Sequence, residues 1–167
     1  MRHSFFIPAL LGLFIALPAH ALEEDRNQPI SLKAERVEIN HKDGISTYEG
    51  GVELQQGSLW ISAARIVVRS KGSEVTRIEA DGTPAKIRQR PAPDKEEIRA
   101  EARHMEYDLQ AATVRLSGQA HLWQESNEFR GETITYDSQR GLVRASGSEQ
   151  KKERIEVIIQ PRKEGTP

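Results

Sequence analysis

The feature that most constrains the fold of this chain is an internal repeat, in which two halves match without a gap at an offset of about 68 residues. The halves span roughly residues 30–92 and 98–160. Identical pairs include Ile30 with Ile98, Ala34 with Ala102, Glu38 with Glu106, Gly50 with Gly118, Leu54 with Leu122, Gln56 with Gln124, Ser58 with Ser126, Ile66 with Ile134, Val75 with Val143 and Ile87 with Ile155. A match this long predicts one structural unit built twice within a single domain.

Apolar residues recur two positions apart within each half, as in Val52-Glu53-Leu54 and Ile134-Thr135-Tyr136. That is the period of a β-strand with one buried face. Glycine-containing turn signals such as Asp81-Gly82 separate these stretches at intervals of roughly eight to twelve residues. The chain is therefore predicted to be all-β, with many short strands. The charged stretch Pro93–Arg103 has a composition that also suits a helix, and we interpret it as a connector that runs into a strand.

A shorter pattern, apolar-x-small-x-x-apolar-x-apolar, occurs four times, with Ala34, Ala63, Ala102 and Gly131 as its small residues. The apolar phase changes parity at each of them, and a one-residue change of parity moves side chains to the other face of a sheet. Keeping one face inward therefore requires a bulge or corner at the small residue, where backbones approach closely. Antiparallel strands that turn at regular corners predict a β-roll or jelly roll.

The first residues have the features of a secretion signal. A basic start precedes the apolar run Phe5–Leu17, and Pro18-Ala19-His20-Ala21 supplies a helix breaker and a small-x-small cleavage pattern. The apolar run is shorter than the roughly 20 residues that cross a bilayer. We therefore expect residues 1–21 to be a cleaved signal peptide, residues 22–160 to form one domain and residues 161–167 to be a disordered tail.

Composition and motifs argue against several functions. The formal net charge is −1 with both signs interspersed, whereas nucleic-acid binding needs a basic face. There is no cysteine, so we expect no disulfide and no thiolate metal site. The sequence has no Gly-x-Ser-x-Gly elbow and no His-Glu-x-x-His motif, and His41, His104 and His121 lack ligand spacing. We expect no catalytic site, no metal and no cofactor.

The order of motifs resembles the LptA (OstA-like) family of periplasmic lipopolysaccharide-transport proteins. The residues that carry the resemblance are Gln28-Pro29-Ile30, Ala34-Glu35-x-Val37, Tyr48-x-Gly50-x-Val52-x-Leu54, Ile61-x-Ala63-x-x-Ile66-Val67-Val68, Gly82-x-Pro84-Ala85, Met105-x-Tyr107, Leu116-x-Gly118-x-Ala120-x-Leu122 and Gly131-x-x-Ile134-x-Tyr136. The family implies a slightly twisted, open-ended β-jelly roll of short antiparallel strands in the periplasm. It also implies a bridge that carries lipopolysaccharide from an inner-membrane extraction complex to an outer-membrane translocon. The charged connector of residues 88–99 departs from the family pattern.

A lipid carrier needs a continuous apolar interior, because each exposed methylene costs about 0.8 kcal/mol. Strand alternation supplies inward candidates for contact with lipid A acyl chains. They are Ile30, Leu32, Val37, Ile39, Tyr48, Leu54, Ile61, Ile66, Val68, Ile87, Met105, Tyr107, Leu116, Phe129, Ile134 and Tyr136. Alternation alone fits a dry core equally well, and the resemblance favours the groove.

The outermost strands are the expected partner surfaces. An open roll leaves unpaired edges, and the predicted first strand, Ile30–Ala34, and last strand, Arg154–Gln160, suit strand addition by another chain. The edge residues are Ile30, Leu32, Ile155, Val157, Ile158 and Ile159. Joining unlike ends gives open head-to-tail filaments. By resemblance, the first edge meets an inner-membrane adaptor, LptC, and the last meets the outer-membrane protein LptD.

Two other functions stay open at this point. One is a periplasmic scaffold that polymerises through its sheet edges around a dry core. The other is a hydrolase or lyase acting on envelope glycans, for which Glu38 and Glu106 match across the repeat. An anionic sugar-phosphate headgroup also has candidate contacts in Arg65, Arg69, Arg77, Arg88, Arg90 and Arg99, although solubility explains these arginines equally well. Trp60 and Trp123 are interpreted as packing or interface residues.

Overall fold

The computed structural model describes residues 25, 27–90, 95–148 and 152–160. The predicted signal peptide and the predicted tail lie outside these residues. Among the described residues, no helix has the length and apolar character needed to cross a bilayer.

Within the described residues, ten strands form a single antiparallel sheet. Their bounds are β1 Ser31–Lys33, β2 Arg36–Asn40, β3 Ile45–Gln56, β4 Leu59–Lys71, β5 Glu74–Gln89, β6 Ile98–Asp108, β7 Thr113–Gln124, β8 Asn127–Asp137, β9 Leu142–Ser146 and β10 Glu156–Ile158. The alternating pattern that predicted strands is thus confirmed, and the predicted charged connector does run into a strand, β6.

The sheet is open at both ends. Strands β3 to β8 form a meander in which each strand pairs with the next, while β1 and β2 both pair with β3, and β9 and β10 both pair with β8. In the described part of the chain, no ladder joins β1 or β2 to β9 or β10. The predicted all-β, open-ended, antiparallel roll is confirmed.

Corners lie where the small residues predicted them. The register shifts between Ser62 and Arg65 in β4 and between Glu101 and His104 in β6, on either side of the buried residues Ala63 and Ala102. Strand β7 has its own shift after Ser117, beside Gly118, whose φ is +78°. A Cβ at Gly118 would lie 3.1 Å from the Cβ of Arg103, closer than an ordinary van der Waals contact, so the positive φ and the limited space both favour glycine here.

The corners divide the sheet into two arms. The tryptophan arm contains β1, β10 and the parts of β3 to β8 on the side of Trp60 and Trp123. The tyrosine arm contains β2, β9 and the parts on the side of Tyr107 and Tyr136. Since the small residues Ala85, Ala102 and Ala120 are buried at the corner between the arms, the interior faces can turn toward each other there.

Cross-strand register arranges the interior side chains in three rows. One row lies on the tryptophan arm: Leu32, Leu54, Ile61, Ile87, Ala100, Leu122, Phe129 and Val157. Two rows lie on the tyrosine arm: Val37, Tyr48, Ile66, Ala80, Met105, Leu116, Ile134 and Ala145 nearer the corner, and Ile39, Ser46, Val68, Ile78, Tyr107, Val114, Tyr136 and Val143 farther from it.

The constant repeat offset fails in the last two strands. By register, Val143 takes the place of Ile78 and Val157 takes the place of Ile87. The predicted equivalences of Val75 with Val143 and of Ile87 with Ile155 are therefore wrong. Two causes are visible. The β4–β5 ladder has a shift between Arg69 and Ser70 that the β8–β9 ladder lacks, and β9 ends at Ser146 whereas β10 begins only at Glu156. Both outermost strands are also shorter than predicted.

Candidate functional site

The two arms enclose an apolar interior that is built from the three rows. Every predicted interior residue except Ile30 lies on one of them. The middle of the interior is tightly covered, since Leu54, Ile66, Leu116 and Ile134 are all 0% exposed. The sequence alternation therefore identified the concave face of the sheet correctly, and lipid contact at these residues remains a prediction.

The ends of the interior are open to solvent. Val37 is 59% exposed and Ile39 is 51% exposed, although their registers place both on the concave face. Ile30 is also exposed. Ile30 therefore does not lie inside as expected. Val37 and Ile39 do face the interior but are not covered, because they lie on a terminal strand beyond which no further described strand packs.

A cavity lies where the free ends of the two arms approach each other. It is small, with a volume of about 20 Å³. Its lining residues are Ile87, Gln89, Ile98, Ala100, Leu122, Val114, Leu116, Tyr136 and Ser138. The lining is almost entirely apolar, and burial raises the pKa of the Tyr136 phenol.

The free ends of the two arms meet along a line, which we call the seam. Gln89 and Ser138 border it at the cavity, and Gln56, Val75 and Leu109 border a second opening farther toward β1. The side-chain amide of Gln56 donates a hydrogen bond to the carbonyl of Gln28 at 3.1 Å. The interior thus has an apolar lining and a partly polar border.

Exposed apolar side chains are concentrated at the two ends of the roll. Among the described residues, the exposed large hydrophobics are Ile30, Val37, Ile39, Leu142, Ile155, Val157 and Ile159. All of them lie in or next to β1, β2, β9 or β10. The predicted edge residues Leu32 and Ile158 lie on the same strands and are half-buried. Apolar surface at strand edges is typical of sites where another chain adds a strand.

The outer face of the tyrosine arm has an alternating ladder of charges near the corner. Glu49 accepts ion pairs from Arg36 at 3.4 Å and Arg65 at 3.6 Å. Asp81 then lies 3.7 Å from Arg65 and 2.7 Å from Nδ1 of His104. Pairs this exposed contribute little to stability, but they keep the convex face hydrophilic while the concave face is apolar.

Two histidines, His104 and His121, each pair with one acidic residue. Among the described residues, no three or more His, Asp or Glu side chains lie together as metal ligands would. His121 lies 3.2 Å from Glu128, and its ring centroid is 3.4 Å from that of Trp123. Burial lowers the pKa of His121, although the hydrogen bond to Glu128 opposes this effect. Glu106, one of the matched acids, pairs with Arg77 at 3.5 Å.

Several cavity residues were missed by sequence reasoning. Ile98 and Ala100 belong to a stretch whose charges concealed its alternation. Val114 was omitted although it lies two residues from Leu116, a predicted interior residue, and Leu122 was omitted although it matches Leu54 across the repeat. Extending the repeat would have found two of them, because Ile98 matches Ile30 and Leu122 matches Leu54.

Comparison with known proteins gives a consistent result. Residues 31–142 match the family described as LptA/(LptD N-terminal domain) LPS transport protein. The lipopolysaccharide export system protein LptH of Pseudomonas aeruginosa is 37% identical over 98% of both chains. LptA of Escherichia coli K12, also named a lipopolysaccharide export system protein, is 28% identical over 89% of this chain and 80% of its own length.

A solved structure shares the fold. It is the crystal structure of LptH, described as the LptA-homologous periplasmic component of the lipopolysaccharide transport device of Pseudomonas aeruginosa. It matches this chain with a TM-score of 0.75 and 34% identity, covering 83% of this chain and 99% of the solved one.

Proposed function

Because this chain belongs to the LptA/LptD N-terminal domain family of lipopolysaccharide transport proteins, we propose that it is a periplasmic carrier that passes lipopolysaccharide through the interior of the roll. The observation that carries the proposal is an apolar interior that is open at both ends of the sheet. The relatives' names, and the periplasmic location of the solved relative, support the same function.

The acyl chains lie against the three rows. A twelve-carbon acyl chain would cost roughly 9 kcal/mol if its methylenes were left in water, so a carrier must cover the chain throughout transfer. The existing cavity is smaller than several acyl chains require, so the arms separate along the seam when lipid enters. This separation breaks no strand ladder, because within the described residues no ladder joins the free ends of the arms.

No bond in the lipid is made or broken during this transfer, so the carrier is not an enzyme and needs no cofactor. The energy for moving lipid comes from elsewhere in the transport system.

Photo-crosslinking tests the lipid path. A photoreactive residue replaces Phe129 or Ile98, which are half-buried on the interior, and Glu53, which is exposed on the outer face, serves as the control. Lipopolysaccharide adducts at Phe129 and Ile98, with none at Glu53, are the expected result. If the interior positions capture no lipid while Val157 still captures protein, the dry-core scaffold replaces the carrier.

Carriers join head to tail, with β1 and β2 of one copy beside β9 and β10 of the next. The internal repeat supplies a template for this junction, because β9 and β10 take the place of β5, and β1 and β2 take the place of β6. The internal β5–β6 ladder pairs Ile78 with Tyr107, Ala80 with Met105 and Ile87 with Ala100. At the junction, the corresponding pairs are Val143 with Ile39, Ala145 with Val37 and Val157 with Leu32.

Charges on the outer face agree with this register. In the template, Lys86 pairs with Glu101 at 3.3 Å. The corresponding residues at the junction are Glu156 and Lys33, which also have opposite charges, with the acid and the base exchanged between the strands. Within one chain Glu156 already lies 3.5 Å from Arg130, and Lys33 lies 4.0 Å from Glu53. The junction would therefore complete a run of alternating charge across two copies.

Disulfide trapping tests the register. Because the chain has no native cysteine, any disulfide that forms must join the introduced cysteines. Directly opposite residues have Cα atoms close enough for a disulfide. The double variant Val37→Cys/Ala145→Cys should give a ladder of covalent oligomers on oxidation. The control Val37→Cys/Arg144→Cys, in which one cysteine points outward, should give no ladder. Equal ladders from both variants would contradict the register.

The same edges meet the neighbouring components. In the proposed arrangement the β1–β2 edge receives lipid from LptC at the inner membrane, and the β9–β10 edge delivers it to LptD at the outer membrane.

A further inference from the structure

Two arginines face each other on the outside of the tryptophan arm. Arg88 of β5 and Arg99 of β6 are direct cross-strand partners, and both are exposed. Like charges in this position destabilise a strand pair. The ion pairs within 4.0 Å among the described residues include neither arginine. On the tyrosine arm, Arg65, Arg69 and Arg77 each pair with acids.

A tryptophan flanks each arginine in the same row. Trp60 is the cross-strand partner of Arg88, and Trp123 is the partner of Arg99. The guanidinium carbon of Arg88 lies 4.3 Å from the centroid of Trp60, and that of Arg99 lies 5.8 Å from the centroid of Trp123. Stacking on an indole orients a guanidinium group and leaves the N–H donors at its edge available to an anion.

The repeat does not account for these four residues. At the same offset, Trp60 corresponds to Glu128, Trp123 to Gln55 and Arg99 to Ser31, and by register Arg88 corresponds to Ile158. The Trp–Arg–Arg–Trp row is therefore specific to the centre of the sheet, whereas the interior rows repeat along it.

The row lies on the outer face of the sheet, directly behind the strand ends that form the rim of the cavity. Arg88 stands between Ile87 and Gln89, and Arg99 stands between Ile98 and Ala100, and all four of these neighbours line the cavity. A shallow depression on the outer face, lined in part by Trp60, Arg88, Arg99 and Trp123, thus backs onto the apolar cavity across one layer of backbone. A molecule that passes over the rim at Gln89 moves from the apolar lining of the cavity to the cationic surface formed by the two arginines.

We propose that Arg88 and Arg99, held by Trp60 and Trp123, bind the phosphate of the saccharide headgroup of a lipid whose acyl chains occupy the interior. This inference rests on the proposed carrier function and adds a headgroup site outside the interior. Charge complementarity supports the assignment, because two adjacent guanidinium groups match a phosphate dianion. The acyl chains then act as a tether that raises the effective concentration of phosphate at the site.

Intrinsic fluorescence gives a direct readout, because Trp60 and Trp123 are the only two tryptophans in the chain. Lipopolysaccharide and the same lipid with its phosphates removed are titrated into the protein, with apolar-dye displacement measured in parallel. For the unchanged protein, dephosphorylation should lower affinity by about tenfold and abolish the tryptophan change, while dye displacement persists. The variant Arg88→Gln/Arg99→Gln should bind both lipids with the lower affinity that the unchanged protein has for the dephosphorylated lipid, and neither lipid should change its tryptophan fluorescence.

A matched control is Arg103→Gln/Arg115→Gln, which removes two other exposed outer-face arginines and should behave like the unchanged protein. The headgroup site is overturned if Arg88→Gln/Arg99→Gln keeps the full affinity and phosphate dependence. It is also overturned if inorganic phosphate alone gives the full tryptophan change at the lipid's concentration, because tethering would then be unnecessary. Failure of the carrier function looks different: neither lipid would displace the dye from the unchanged protein.

Discussion

His121 lies on the outer face of β7, with a side chain that is only 17% exposed. Burial lowers its pKa, so the folded protein holds this imidazole in its neutral form more strongly than the unfolded chain does. The unfolded chain therefore binds more protons as the pH falls below about 6.5. The stability that this residue contributes is present above that pH and is lost below it.

We predict that acidification from about pH 7.5 to about pH 5 lowers the urea midpoint of the unchanged protein more than that of His121→Gln. Urea denaturation at the two pH values measures the difference. His41→Gln, at an exposed turn, is the control and should leave the pH dependence unchanged. Parallel loss of stability in His121→Gln and the unchanged protein would contradict the assignment.

At the same scale, alternation predicts which face a residue takes but not how deeply it is covered. Val37 and Ile66 follow the same pattern and lie in the same row, yet the first is 59% exposed and the second is 0% exposed. The difference comes from the number of strands beyond each residue, which is a property of the whole sheet. The Trp60–Arg88 stacking was missed for a related reason, since cross-strand partners are distant in sequence.

At the level of strands, the corners and the first eight strands follow the sequence repeat, whereas the last two do not. Strand β9 ends at Ser146 and β10 begins at Glu156. In the intervening segment, Ser148 and Glu153 exchange two backbone hydrogen bonds, at 3.1 and 3.0 Å, which close a local loop. Turn length and such local loops set the register independently of apolar spacing, so a constant offset could not predict them.

The proposed junction between copies would bring Lys33 of one copy opposite Glu156 of the next, and this pairing can be tested. We predict that Lys33→Glu weakens self-association several-fold, because it would face Glu156 of the next copy, and exposed pairs contribute up to about 1 kcal/mol. Lys33→Glu/Glu156→Lys should recover part of the loss. Analytical ultracentrifugation measures both, with Lys71→Glu, away from the edges, as the control. A single reversal without effect would argue against this register.

At the scale of the molecule, the two ends of the sheet are different surfaces. Joining unlike ends leaves each new end free, so growth does not close on itself. We predict that the average mass of the protein rises continuously with concentration and shows no plateau at the dimer. Light scattering over a range of concentrations checks this. A stable plateau at twice the protomer mass would show that like ends meet instead.

The internal repeat has a consequence for movement along such a filament. If β9 and β10 meet β1 and β2 as β5 meets β6, a lipid encounters the same succession of rows inside a protomer and across a boundary. The free-energy profile along the path is then nearly periodic, with two periods for each copy and no deep minimum at any joint. A periodic track permits diffusion in both directions at equal rates. Net flow toward one membrane must then come from a gradient of occupancy, maintained by loading at one end and removal at the other.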